Sequence, residues 1–136
     1  MRRRRMRARR GQALVEFALL SPILMLIVLG IVEFGRAWHT FQTLTDATRE
    51  AARIAVVNNG APVDSIYNTI NYALARVGMD STAETTTITG WKTGTGLPTT
   101  IQVSYPYHLG WISGLLNWTG AQSNISLKTQ HVMRQE

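Results

Sequence analysis

The sequence predicts an α+β fold, in which a long N-terminal transmembrane helix projects into a small domain with a second helix and an antiparallel sheet of about three to four strands. Three observations carry this. Seven of the 14 basic residues crowd into positions 1–10. A nearly uncharged apolar run, QALVEFALLSPILMLIVLGIV, follows after one glycine. Past residue 78 the helical spacing of apolar side chains gives way to β-branched residues and glycine.

Arg2, Arg3, Arg4, Arg5, Arg7, Arg9 and Arg10 make residues 1–11 a basic leader with no acid in it. Such clusters stay on the cytoplasmic side, so the leader sets the topology, with the N-terminus inside and the C-terminal domain outside. The span itself is expected at about residues 13–33, close to the roughly 20 residues that cross about 30 Å of hydrocarbon. Beyond Glu33 the all-round apolar character narrows to a stripe. Phe34, Trp38, Phe41, Leu44, Thr48, Ala51 and Ala55 recur at three- and four-residue steps, and Arg36, Gln42, Asp46, Arg49, Glu50 and Arg53 take other faces. Only Pro22 interrupts the helical pattern, and proline in a membrane helix kinks it rather than ending it. One helix is therefore expected over residues 12–57, on the order of 65–70 Å long at 1.5 Å per residue. Asn58-Asn59-Gly60 suits its C-terminal cap.

Residues 58–136 form the small extracytoplasmic domain. Pro62 and Asp64 suit a helix start, Val63, Ile66, Tyr67, Ile70, Leu74 and Val77 make its stripe, and Gly78 stops it. Residues 85–91 read as a strand, and residues 92–97, rich in glycine and threonine, as a turn. Residues 99–105 alternate with Ile101, Val103 and Tyr105 on one face, and residues 124–133 alternate with Ile125, Leu127 and Thr129 on one face. The glycine-broken stretch between these last two strands has room for one helical turn.

The net charge of +6 belongs to the leader. From Gln12 onward there are 7 basic against 8 acidic residues, a net of −1, so the folded part has no basic face for nucleic acid. The absence of cysteine removes disulfides, thiolate metal sites and cysteine nucleophiles. His39, His108 and His131 lie far apart without metal-ligand spacing. Ser113 lacks the flanking glycines of a nucleophile elbow, and GWKTGTG is a hairpin turn by composition rather than a phosphate loop. The reading is a non-enzyme with no metal, cofactor or small-molecule substrate.

Glu16 is the one charge inside the apolar run, and burying it in lipid costs on the order of 2–3 kcal/mol unless it is paired. One reading places it at the cytoplasmic interface beside the arginines. The other requires a cut after Gly11, which creates an α-amino group on Gln12 one helical turn from the carboxylate. In a bundle of parallel helices that amine on one subunit pairs with Glu16 of its neighbour and sets axial register, because mispairing leaves a buried charge alone.

The pattern Gly11, Gln12, Ala13, Leu14, Val15, Glu16, Phe17 resembles the prepilin-peptidase site of type IV pilin-like proteins, with Phe17 where the Flp-type motif usually has tyrosine. The longer string RRGQALVEFALLSPILMLIVLGIVEFGRAW, with TDATREAARIAVV, SYPYHL and SLKTQHVMRQE, resembles TadE-like proteins of the tight-adherence (Tad, or Flp) pilus system. The resemblance implies a minor pilin or pseudopilin in the cytoplasmic membrane, needed for pilus assembly. Its implied partners are the membrane, a prepilin peptidase, other pilin-like subunits and the assembly platform. An uncleaved single-pass anchor with an extracytoplasmic binding domain would show the same topology.

Aromatic residues give the remaining interface candidates. Trp38 and Phe41 suit membrane-interface anchoring, domain packing or a partner-binding stripe. Trp111, Ile112, Leu115, Leu116 and Trp118 suit an exposed docking loop or a lid over the sheet.

Overall fold

The computed structural model of the chain describes residues 2–57 and 62–135. Its first element is a single helix, α1 (Arg2–Val57), 56 residues and so about 84 Å long. It continues without a break across Gly11 and starts ten residues before the helix expected from the sequence, since nothing in the arginine-rich leader opposes helical geometry. It also continues through Pro22. A proline there cannot donate to the Ala18 carbonyl one turn back. The Ser21 hydroxyl donates to that carbonyl instead, at 3.4 Å, a repair typical of membrane helices. The expected cap at Asn58-Asn59-Gly60 lies outside the described residues.

The second helix, α2 (Val63–Arg76), follows Pro62, whose φ of −61° suits a helix entry. It buries Ile66, Ile70 and Leu74 completely. It ends at Gly78, whose φ of +74° lets its N–H reach the Ala75 carbonyl and lets Met79 N–H reach Leu74, each at 3.0 Å.

Three strands follow: β1 (Thr85–Thr89), β2 (Pro98–His108) and β3 (Asn124–Arg134), with a short helix α3 (Ser113–Thr119) between the last two. They form an antiparallel sheet in the order β1-β2-β3. The fold class expected from the sequence is the one observed. Alternation in β2 runs further than its expected end, burying Thr99, Ile101, Val103 and, one step past half-buried Tyr105, Tyr107. Leu44, Ala51, Ala52 and Ala55 of α1 close one core with the three buried residues of α2 and with Ile101 and Val103. Alanine at these α1 positions lets the neighbouring elements approach closely. The far hairpin is fastened by the chain's end. Gln135 donates through Nε2 to the Gly90 carbonyl at 2.9 Å and to Thr99 Oγ1 at 2.8 Å. Gly90 has a φ of +76°, and a Cβ there would overlap the Pro98 carbonyl oxygen.

Two contacts fix the direction of the sheet along α1. Thr129 in β3, opposite Val103, meets Thr45 at 3.5 Å. Tyr107, four residues further along β2, meets Glu33 at 3.0 Å. The C-terminal end of β2 therefore points toward the apolar half of α1, and the β1–β2 hairpin points away from it.

Candidate functional site

The site has two parts, one at each end of the apolar run. Gly11–Val57 contains a stretch long and apolar enough to cross a membrane, and no part of that stretch is buried by the rest of the chain. A core helix of a soluble domain would be covered on at least one face. This one leaves Leu14, Phe17, Leu20, Ile23, Leu24 and Ile27 all exposed.

At the N-terminal part, Gly11, Gln12, Glu16 and Phe17 are exposed on consecutive turns. The Gln12 side-chain amide donates to Glu16 Oε1 at 3.1 Å, the i,i+4 spacing of one helical turn. The geometry thus places the backbone nitrogen of residue 12 and the carboxylate of residue 16 on adjacent turns. A Cβ at Gly11 would meet nothing within 4 Å, so packing does not require glycine there. Gly30 and Gly35 are equally open. What singles out Gly11 is therefore its spacing to Glu16, not its surroundings. Arg2, Arg3, Arg4, Arg5, Arg7, Arg9 and Arg10 lie on the same helix, within the three turns before Gly11.

The second part was not foreseen. Glu33, at the outer end of the apolar run, is only 2% exposed. The Tyr107 hydroxyl donates to its Oε1 at 3.0 Å, and the Arg36 guanidinium approaches its Oε2 at 3.5 Å. A buried carboxylate with one neutral donor and one half-exposed cation is satisfied only while the sheet lies against the helix. Burial, the hydrogen bond to Glu33 and the nearby negative charge together push the Tyr107 hydroxyl above its ordinary value, with Arg36 opposing. Two sequence signals could have found this clamp. Glu33 is in step with Ala37, Thr40 and Leu44 on the domain-facing side of α1, and Tyr107 continues the alternation of β2.

That face differs from the expected stripe in its lower turns. Leu44, Thr48, Ala51 and Ala55 are buried as expected, but Phe34 is 70% and Trp38 53% exposed. Phe34 and Trp38 stack on each other with centroids 6.2 Å apart, and Trp38 meets half-buried Phe41 at the same distance. The buried side runs one position over, through Glu33. Trp111 at 63% and Trp118 at 84% are exposed as well, so neither indole forms a lid over the sheet.

His39 is on α1, His108 ends β2 and His131 is in β3. Among the described residues no three or more His, Asp or Glu side chains are grouped to hold a metal.

No curated protein and no solved structure matches the chain. A protein family described as TadE-like does match, over residues 11–53. The match begins at the glycine preceding Gln12, takes in the whole uncovered apolar run and Glu33, and stops within the part of α1 that packs on the domain. The similarity to the TadE-like family is thus carried by residues 11–53, the apolar run and the part of α1 next to it.

Proposed function

We infer that this chain is a non-catalytic pilin-like subunit, a minor pilin or pseudopilin, required for assembly of a Tad/Flp-type adhesion pilus. In this reading α1 holds the protein in the cytoplasmic membrane, with the arginines inside and the α+β domain outside. A prepilin peptidase removes residues 1–11. The new Gln12 amine then pairs with Glu16 of an adjacent pilin-like subunit, and the uncovered apolar half of α1 packs among the helices of other subunits and the assembly platform. The observation that carries the reading is a TadE-like helix whose apolar half is left bare by its own domain while it displays Gly11 and Glu16 at the spacing of the processing motif.

A second reading, the permanent single-pass anchor, draws on one contact. Glu16 already has an amide partner in Gln12 on its own helix, and needs no neighbouring subunit to be hydrogen-bonded.

The N-terminus of membrane-extracted protein separates them. Intact mass with and without the host's prepilin peptidase should show a chain starting at Gln12 only when the peptidase is present. Gly11→Val should abolish that shortening. Glu16→Ala should still be cut but should fail to join other pilin-like subunits. Retention of residues 1–11 in both hosts favours the anchor.

A further inference from the structure

We propose that the lobe between β2 and β3, residues 109–123, is a second membrane contact, seated by its indoles in the headgroup region of the bilayer that α1 crosses. The proposal rests on the reading of α1 as a membrane anchor.

Position is the first argument. Residues 13–32 contain no charge except Glu16 and, at 1.5 Å each, span about 30 Å, the thickness of the hydrocarbon layer. The outer boundary thus falls at Glu33. Tyr107 is hydrogen-bonded to that residue, and β2 is heading toward the membrane when it reaches it. The lobe begins two residues later. It is closed at its base by Leu109 N–H to the Ser123 carbonyl at 2.8 Å and by the His108–Asn124 side-chain contact at 2.7 Å. A Cβ at Gly110 would lie 3.9 Å from the Arg36 guanidinium, which keeps the start of the lobe at the level of the boundary.

Composition is the second. These 15 residues, LGWISGLLNWTGAQS, include no charged side chain and no histidine. Two of the hydroxyls are hydrogen-bonded within the lobe, Ser113 donating to the Gly110 carbonyl and Thr119 to the Leu116 carbonyl, each at 2.8 Å. Trp111 and Trp118 project outward. Phe34 and Trp38 sit exposed on the turns of α1 just beyond the same boundary. Tryptophan favours this depth because its ring is apolar and its N–H still reaches water or headgroups. An aromatic, uncharged lobe continuous with a membrane-length helix fits a lipid surface better than an aqueous partner. The contact would fix the tilt and rotation of the domain on the membrane before any assembly step.

The test uses the full chain in phosphatidylcholine vesicles, with lipid brominated near the top of its acyl chains as a fluorescence quencher. Wild type is compared with the Trp111→Phe, Trp118→Phe double variant, whose changes are at exposed sites. Bromolipid in both leaflets makes insertion direction immaterial. The expected result is vesicle flotation of both proteins, with a blue-shifted, bromolipid-quenched emission component that the double variant lacks. That component should persist as protein is diluted in lipid. If the lost component is instead quenched by aqueous iodide and not by bromolipid, the lobe faces water and the proposal fails while the anchor stands. Shielding that weakens on dilution would show a second protein chain on the lobe, and also overturns it. A chain that does not float removes the anchor and the proposal together.

Discussion

The two halves of α1 are equally helical and have opposite fates. In the first half almost every large apolar side chain is exposed; in the second, Leu44, Ala47, Thr48, Ala51, Ala52 and Ala55 are buried against α2 and the sheet. Size separates them. The bare half is built of leucine, isoleucine, methionine and phenylalanine, which present apolar area to a surrounding medium. The covered half is built largely of alanine, which allows close approach. The lesson is that hydrophobicity alone does not identify a core: the most apolar stretch of this chain lies outside its own fold.

The sharpest way to break this comparison is to truncate one leucine packed against the covered half and one leucine in the bare half. Leu74 of α2 fills the contact with the covered half and is fully buried. Leu74→Ala should lower the unfolding free energy of the full chain in detergent by about 2–5 kcal/mol, the usual cost of a large-to-small core change. Leu20→Ala, in the bare half, should leave domain unfolding within about 0.5 kcal/mol of wild type. Near-ultraviolet circular dichroism against denaturant measures both. Equal effects would mean that the domain leans on the apolar half.

The junction between the halves gives a smaller effect. Tyr107→Phe keeps the ring and removes the donor to Glu33, leaving a buried carboxylate oxygen without that bond. A loss of about 1–3 kcal/mol is expected. Tyr72→Phe, at an exposed tyrosine on α2, is the control and should be nearly silent. If both are silent, the carboxylate is satisfied by water and the junction is not a clamp.

Much of this architecture is legible in the sequence, for reasons that differ along the chain. The long helix reads clearly because nothing breaks its pattern, and it is helical as far as Val57, the last described residue before position 62. Ile66, Ile70 and Leu74 are unambiguous because they keep helical spacing between a proline and a glycine. Alternation finds β2 and β3, whereas β1 stops at Thr89, two residues short of its expected end at Trp91. Gly90, with its positive φ, turns the chain there.

Other features escape a linear reading. Phe34 and Trp38 match helical spacing as well as the residues that are buried, and one helical position decides which side faces the domain. Glu33 looks like a surface acid until a tyrosine 74 residues away is placed against it. The motif at Gly11 is the reverse case. It is visible in the sequence, yet a Cβ at Gly11 would meet nothing within 4 Å, so the fold gives that glycine no packing role.

The same junction yields the finest test, a pH dependence. The Tyr107 hydroxyl is held above its ordinary value of 10.0, chiefly by burial and then by its bond to Glu33. Folding therefore favours the protonated phenol. Below about pH 10 both folded and unfolded chains carry that proton, and its contribution to stability is fully present. As pH rises further, the unfolded chain releases the proton first, and the contribution is lost as pH climbs through the folded value. Wild-type stability should thus fall more steeply above pH 10 than that of Tyr107→Phe, with the two curves parallel at neutral pH. The difference between them isolates this one phenol, because every other titrating group is common to both proteins. Curves that stay parallel to pH 11.5 or so would mean that Tyr107 titrates alike in both states. The junction between the apolar half and the folded half would then be wet, and the sheet would be free to lift from α1 at the boundary where the two halves meet.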